Sequence, residues 1–341
     1  MLMTTPQVQG DLASIGGRVT TEALFRILPQ QIRLRNCREV LFLPAAFLIL
    51  AGLTSAQNQT TGNPAVTPPP QPAVAVSPLV APPPHAKQIH LKHILVISQT
   101  KGWEHDSIPN GMAAIYNMGH DSGLWDTMLR TDTELITKKN LRMNGKNLDY
   151  FDALIFLSTT DELDLDDSQK QDMMSFIKED GKGFVGIHAA LDTNFKWLEY
   201  GEMIGGWFDQ HPWGTFNAPI INEDPNFPAV SHFAKVFVKY DEIYQPKAWS
   251  RDKVNVLLSL DPAKLDYSAP NIHRMDHDFA VAWTKSYGKG RVFYSTLGHT
   301  EESWDDPDIR KMYFEAIKWV LGMTEGSTTP HPRPQESVGP H

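Results

Sequence analysis

The chain has 341 residues, 41% of them hydrophobic and 21% charged, which fits a globular protein with a core rather than a disordered one. Its formal charge of −9 argues against a nucleic-acid binder, which needs a basic face. The single cysteine, Cys37, rules out an internal disulfide framework and any cysteine-based zinc site.

Residues 1–56 read as a leader. Arg33, Arg35 and Arg38 precede an apolar run from Val40 to Leu53, and Thr54-Ser55-Ala56 follows. The run is shorter than the ~20 residues that span a bilayer. Basic, apolar and small is the order of a secretory signal peptide, with cleavage after Ala56. This predicts a periplasmic or extracellular protein whose mature domain does not insert into the membrane. The alternative is an uncleaved N-terminal membrane anchor. Residues 57–88, with Pro68-Pro69-Pro70 and Pro82-Pro83-Pro84, form a Pro-rich linker that favours extended polyproline II. The folded domain is expected over 89–323, and a disordered tail over 324–341.

Inside the domain, strands and helices alternate. Ile94–Ile97, Ala153–Leu157 and Phe184–His188 are continuous apolar runs, as expected of strands buried on both faces. Trp125–Arg130 is a weaker strand, and Val254–Leu260, Phe279–Trp283 and Arg291–Ser295 follow later. Ser107 is placed to cap a helix through Met112, Ile115 and Met118 that stops near Gly123. Asp166 or Asp167 opens a helix carrying Met173, Phe176 and Ile177, ended at Gly181. Asp306-Pro307 starts the last helix, with Gly322 after its end. The pattern predicts an α/β fold, a mostly parallel sheet with helices on both faces. Ligands of such sheets bind outside the carboxyl ends of the strands.

The segments at those ends are rich in chemistry. They are Lys101-Gly102-Trp103-Glu104-His105, Gly186-Ile187-His188-Ala189-Ala190-Leu191-Asp192, Gly205-Gly206-Trp207-Phe208-Asp209-Gln210-His211-Pro212-Trp213, Tyr240-Asp241-Glu242-Ile243-Tyr244 and Gly298-His299-Thr300-Glu301-Glu302-Ser303-Trp304. Histidine transfers protons near neutral pH or binds metal. Carboxylates act as bases or orient a histidine. Indole faces stack on the C–H faces of sugars. The combination points to a carbohydrate ligand, with Trp103, His105, His211, Trp213, Asp241, Glu242, Tyr244 and Trp304 as substrate-binding candidates.

The motifs Gly102-Trp103-x-His105, Gly186-Ile187-His188-Ala189-Ala190-x-Asp192, His211-Pro212-Trp213, Asp241-Glu242-x-Tyr244 and Tyr287-Gly288-Lys289-Gly290-Arg291 through Gly298-His299 resemble the ThuA (trehalose utilisation) family, over about Leu91 to Gly322. The resemblance implies a flavodoxin-like, class I glutamine amidotransferase-like fold and a role in disaccharide or keto-sugar metabolism. In that superfamily a cysteine nucleophile sits at a Gly-x-Cys-x-Gly turn and a His-x-Glu pair follows the last strand. Here His188 stands at the nucleophile position and His299-Thr300-Glu301 at the pair. Without a thiolate, glutamine hydrolysis by that route is excluded.

Two functions are expected as alternatives. One is an enzyme on a glycoside or keto-sugar, with His188, His299, Glu301 and Asp192 as the catalytic set, and with hydrolysis, elimination and isomerisation all open. The other is a non-catalytic sugar-binding module on a Pro-rich stalk. No Gly-x-Gly-x-x-Gly or P-loop pattern follows a strand, so no cofactor is expected. A divalent metal held by His105, His188, His211 and Glu242 is the minority variant.

Overall fold

The computed structural model describes residues 91–142 and 145–334. The expected leader and Pro-rich linker lie outside the described residues. None of the described helices is long and apolar enough to cross a membrane.

The elements run β1 (Lys92–Ile97), α1 (Ile108–Ser122), β2 (Trp125–Arg130), β3 (Ala153–Leu157), α2 (Asp167–Lys178), β4 (Gly183–Ile187), α3 (Leu198–Ile204), β5 (Trp207–Gln210), β6 (Thr215–Asn222), β7 (Val236–Glu242), β8 (Gln245–Lys247), β9 (Asn255–Leu260), β10 (Ala280–Tyr287), β11 (Gly290–Ser295), α4 (Glu301–Asp305) and α5 (Pro307–Val320). Among the described residues nine strands form one sheet in the order β2-β1-β3-β4-β11-β10-β9-β6-β7. The first five are parallel and β10, β9, β6 and β7 extend the sheet antiparallel. The expected α/β architecture is present, and the three apolar runs of the sequence are the neighbours β1, β3 and β4. The antiparallel wing is larger than the sequence predicts, because β6 and β7 carry polar residues and Pro219 where a buried run would be read.

The continuous apolar runs have a direct physical cause. In β1, Ile94 and Val96 pack with α1 and α5, while Leu95 and Ile97 pack on the other face with α2 and α3. Alternate residues of a strand point to opposite faces. With helices on both, no position in the strand is left for a polar side chain.

Helix starts are set by local chemistry. Asp166 caps α2 in a capping box with Gln169, satisfying donors that a helix N-terminus leaves free. Asp306 accepts the N–H groups of Asp308 and Ile309 at the start of α5, with Pro307 behind it. Ser107 precedes α1 as expected but does not cap it. Its hydroxyl donates to the Gly298 carbonyl at 2.9 Å, so it joins the loop after β1 to the loop after β11. The tail is also partly tied down. Asn255 Nδ2 donates to the Ser327 carbonyl at 3.0 Å, and Arg333 pairs with Asp278 at 3.1 Å. The expected disorder from residue 324 thus fails up to 334, and 335–341 lie outside the described residues.

Candidate active site

The site begins at a sharp turn after β4. His188 opens a 3-10 turn (His188–Leu191) with a left-handed φ of +48°, a conformation that non-glycine residues adopt only where the surroundings enforce it. Tyr294, on the adjacent β11, donates to the His188 carbonyl at 2.8 Å. Gly186 lets α3 close against the turn, since a Cβ there would sit 2.8 Å from Ile204 Cδ1. The nucleophile position that His188 takes in the family resemblance implies a side chain exposed at the sheet edge. It is instead 0% exposed, because the turn aims the ring inward beneath the loops that follow β1, β7 and β11.

Buried, the ring is fully engaged. Its Nδ1 donates to the Thr296 carbonyl at 2.7 Å, which leaves Nε2 as a lone pair. Around Nε2 stand His105 Nε2 at 3.1 Å, His299 Nδ1 at 3.0 Å and the Tyr244 hydroxyl at 3.0 Å. Glu242 Oε2 lies 3.6 Å from His188 Nε2 and 3.4 Å from His299 Nδ1. Its Oε1 lies 3.4 Å from Nδ1 of the exposed His211. His105 comes from the loop after β1, Glu242 from the end of β7, and His299 from the loop after β11. Four antiparallel pairings separate β7 from β11, so β7 runs in the same direction as β1 and β11 and all three strand ends open on one edge.

Electrostatics assign different characters to these groups. Burial, then the neighbouring His299, lowers His105 to about 4. Burial, with His105 and His299 beside it, holds His188 well below the ordinary histidine value. Burial, then His211, lowers His299. The rings facing Glu242 across the centre are thus neutral at neutral pH and offer lone pairs. Glu242 moves the other way, to about 7, through burial and then the carboxylates of Asp241 and Asp192. Burial raises the Tyr244 phenol well above its usual value, so it stays a hydrogen-bond donor. The carboxylate of Glu242 is thus pushed toward neutrality, while His105, His188 and His299 are pushed below their ordinary value.

Asp241 has a different task from the expected contact with substrate. It is fully buried and accepts four hydrogen bonds, from the backbone N–H groups of Gly298, His299 and Glu242 and from the Ser303 hydroxyl, at 2.7–3.1 Å. Burial raises it to about 6 against the pull of these donors. It fixes the loop that presents His299.

Other expectations are corrected by burial and distance. Glu301 is exposed, at the mouth of the crevice and the start of α4, and bonds none of the histidines. Glu242 occupies the place assigned to it. Asp192 is half-buried, raised to about 6 by burial and then by Asp161; it acts on Glu242 through its charge without bonding a histidine. Trp304 is 2% exposed, stacked on Tyr313, and donates to the Gly298 carbonyl at 3.2 Å. It is a core residue that supports the loop. Trp213 packs edge-on against Phe279 and donates to the Asp266 carbonyl at 3.0 Å, outside the crevice.

The crevice has a volume of about 420 Å³ and is lined by Trp103, Asp106, Thr215, Tyr240 and Glu301, with His105 and His299 at its floor. Trp103 is 71% exposed and is the one expected indole left free to meet a sugar ring. A larger cavity, of about 590 Å³ between Leu198, Trp207 and Lys285, contains none of the expected site residues. Sequence reasoning missed Thr296, whose carbonyl accepts from His188 and whose hydroxyl joins the Tyr244 N–H at 3.0 Å to the Glu242 carbonyl at 3.3 Å. A threonine ending an apolar strand gives no signal of such a role.

Comparison with known proteins agrees with this architecture. The sequence profile of the ThuA family, described as trehalose utilisation, matches residues 93–320. A ThuA-like protein of Bacteroides uniformis superposes with a TM-score of 0.55 at 22% identity, over 74% of this chain and 99% of that one. A ThuA-like protein of Parabacteroides merdae gives 0.51 at 14% identity, over 73% and 96%. At these identities the likeness establishes the fold. No curated protein matches the chain.

Proposed function

This chain belongs to the ThuA family, and on that premise we propose that it is an enzyme acting on a glycoside or keto-sugar by proton transfer at Glu242. The family's description points to carbohydrate metabolism. One observation carries the chemical reading: Glu242 is held 3.4–3.6 Å from the rings of His188, His211 and His299, beneath a crevice whose rim carries the exposed Trp103. A carboxylate raised to about 7 beside the neutral rings of His188 and His299, the second of which lines the crevice, takes a proton from a hydroxyl or from a carbon beside a carbonyl. A pure binding module has no need to bury such a cluster, since burying ionisable groups is costly. Trp103 supplies the apolar face against which a sugar ring lies.

Incubation of the full chain with trehalose, other glycosides and their 3-keto derivatives, followed by mass spectrometry, tests the reading. Turnover of at least one class is expected, falling roughly 10²–10⁴-fold in Glu242→Gln. No turnover across the panel, with sugars still bound, would favour the binding module. We further propose that the mature protein is exported, on the order of basic, apolar and small residues before Gln57. A mature N-terminus at Gln57 is expected; cytosolic protein with residues 1–56 intact refutes it.

A further inference from the structure

We propose that His105, His188 and His299 form a binding site for one divalent first-row metal ion, with an open coordination position facing the crevice. His188 Nε2 has a single lone pair, because Nδ1 donates to Thr296. Three groups stand 3.0–3.1 Å from that lone pair: His105 Nε2, His299 Nδ1 and the Tyr244 hydroxyl. One lone pair accepts one well-aligned hydrogen bond; with the Tyr244 hydroxyl as its donor, His105 Nε2 and His299 Nδ1 face the same lone pair with no hydrogen bond to make to it. Ligands held ~2.1 Å from one ion at tetrahedral or octahedral angles lie ~3.0–3.4 Å apart. Both nitrogen–nitrogen spacings at His188 approach this range, and one nitrogen from each ring lies within 4.8 Å of the other two.

The surroundings fit a metal ligand set. Metal-binding histidines commonly donate their second N–H to a backbone carbonyl, which fixes the tautomer; His188 does so. Among the described residues His105 Nδ1 is buried without a hydrogen-bond partner, so no bond there on its far side explains why the ring points at His188. Three imidazole donors favour Zn²⁺, Ni²⁺, Cu²⁺ or Fe²⁺ over Mg²⁺, Ca²⁺ and Mn²⁺, which prefer oxygen. Three protein ligands leave a position for water or substrate, the mark of a catalytic site. His105 and His299 line the crevice, so that position opens toward it. There the ion would take adjacent oxygens of a sugar, a hydroxyl beside a carbonyl or a second hydroxyl. Glu242 stands next to the ion's place as the acceptor of the proton that such an oxygen, or a bound water, gives up. His211, expected from sequence as a ligand, is exposed and separated from the three nitrogens by Glu242.

The inference rests on the crevice being the functional site, but its test involves no sugar. Full-length protein is stripped with a chelator and titrated calorimetrically with Zn²⁺ alone and with Ni²⁺ alone. One ion per chain is expected for at least one of them, with affinity at least tenfold weaker in His105→Ala and in His299→Ala. Glu242→Gln, which keeps all three nitrogens, should still bind one ion. Circular dichroism of each variant identifies any that does not fold, and the wild-type stoichiometry is independent of all of them. No stoichiometric binding by wild type, or wild-type affinity in both folded histidine variants, overturns the site. Binding without turnover of any sugar sinks the substrate reading alone, and turnover without stoichiometric binding sinks the metal site alone.

Discussion

The carboxylate of Asp241 accepts the backbone N–H of His299 at 3.1 Å across 58 residues of sequence. Three further donors converge on the same carboxylate, so the end of β7 and the loop after β11 move as one piece. Asp241→Ala strands four donors. Each buried unsatisfied group costs about 1–3 kcal/mol, and a total loss of roughly 3 kcal/mol or more is expected in urea unfolding. Wild-type stability would show that the loop holds itself.

His188→Ala is expected to destabilise the fold, contrary to what an exposed turn residue would do. The change opens a cavity and leaves the Thr296 carbonyl without its donor. About 2–4 kcal/mol should be lost, together with turnover. Comparing chemical denaturation with that of Glu242→Gln separates the two roles, since the glutamine preserves shape and should stay close to wild type in stability.

The two tryptophans at the crevice end of the chain should behave in opposite ways. Trp103→Ala removes an exposed ring, so KM should rise with little change in melting temperature. Trp304→Ala removes a buried, stacked one and should cost about 3–5 kcal/mol. Equal effects on stability would contradict the assignment of one to the substrate and the other to the core.

Stability at low pH should depend on Arg251, which bonds Asp278 and Glu223 at 2.7–3.1 Å. Burial alone would raise Asp278, but Arg251 and Arg333 outweigh it and hold its carboxyl below the ordinary value of 3.8. Below that value the unfolded chain takes up the proton more readily than the native one. The contribution is therefore complete above the unfolded value and is lost as pH falls through the native one. The Arg251-dependent part of the stability, read as the gap in unfolding free energy between wild type and Arg251→Met, should be flat from pH 7 to about pH 5 and shrink below about pH 4. Arg251→Met should lower the stability at neutral pH by roughly 3–5 kcal/mol, because buried Glu223 loses its bidentate partner and Asp278 keeps only Arg333. Unchanged midpoints in that variant would count against the network.

The parallel half of the sheet was legible because it is buried on both faces, which forces runs such as Ile94–Ile97 and Phe184–Ile187. The edge at which His105, His188 and His299 meet followed from the same pattern. The roles within it did not. Residue type cannot tell Trp103 from Trp304, since burial decides between them and burial depends on the packing of α4 against α5 and α1. Glu242 and Glu301 are both acids beside an expected site, and only the pairing of β7 with β6 brings the first to the histidines. Asp241 reads as a polar site residue in a one-dimensional string, whereas its four donors come mostly from a loop almost sixty residues away.

His105, Glu242 and His299 reach His188 from the ends of β1, β7 and β11, which enclose nearly the whole domain in sequence. Contacts of such separation form late, because the loops between them must be closed first. Helices α1 and α2 can be in place while the centre is still missing. A ligand that recognises the assembled centre binds the native chain and not its intermediates, and so stabilises every layer at once by mass action. In refolding, recovery of ligand binding should lag behind recovery of helical signal, which makes the site a reporter of complete assembly.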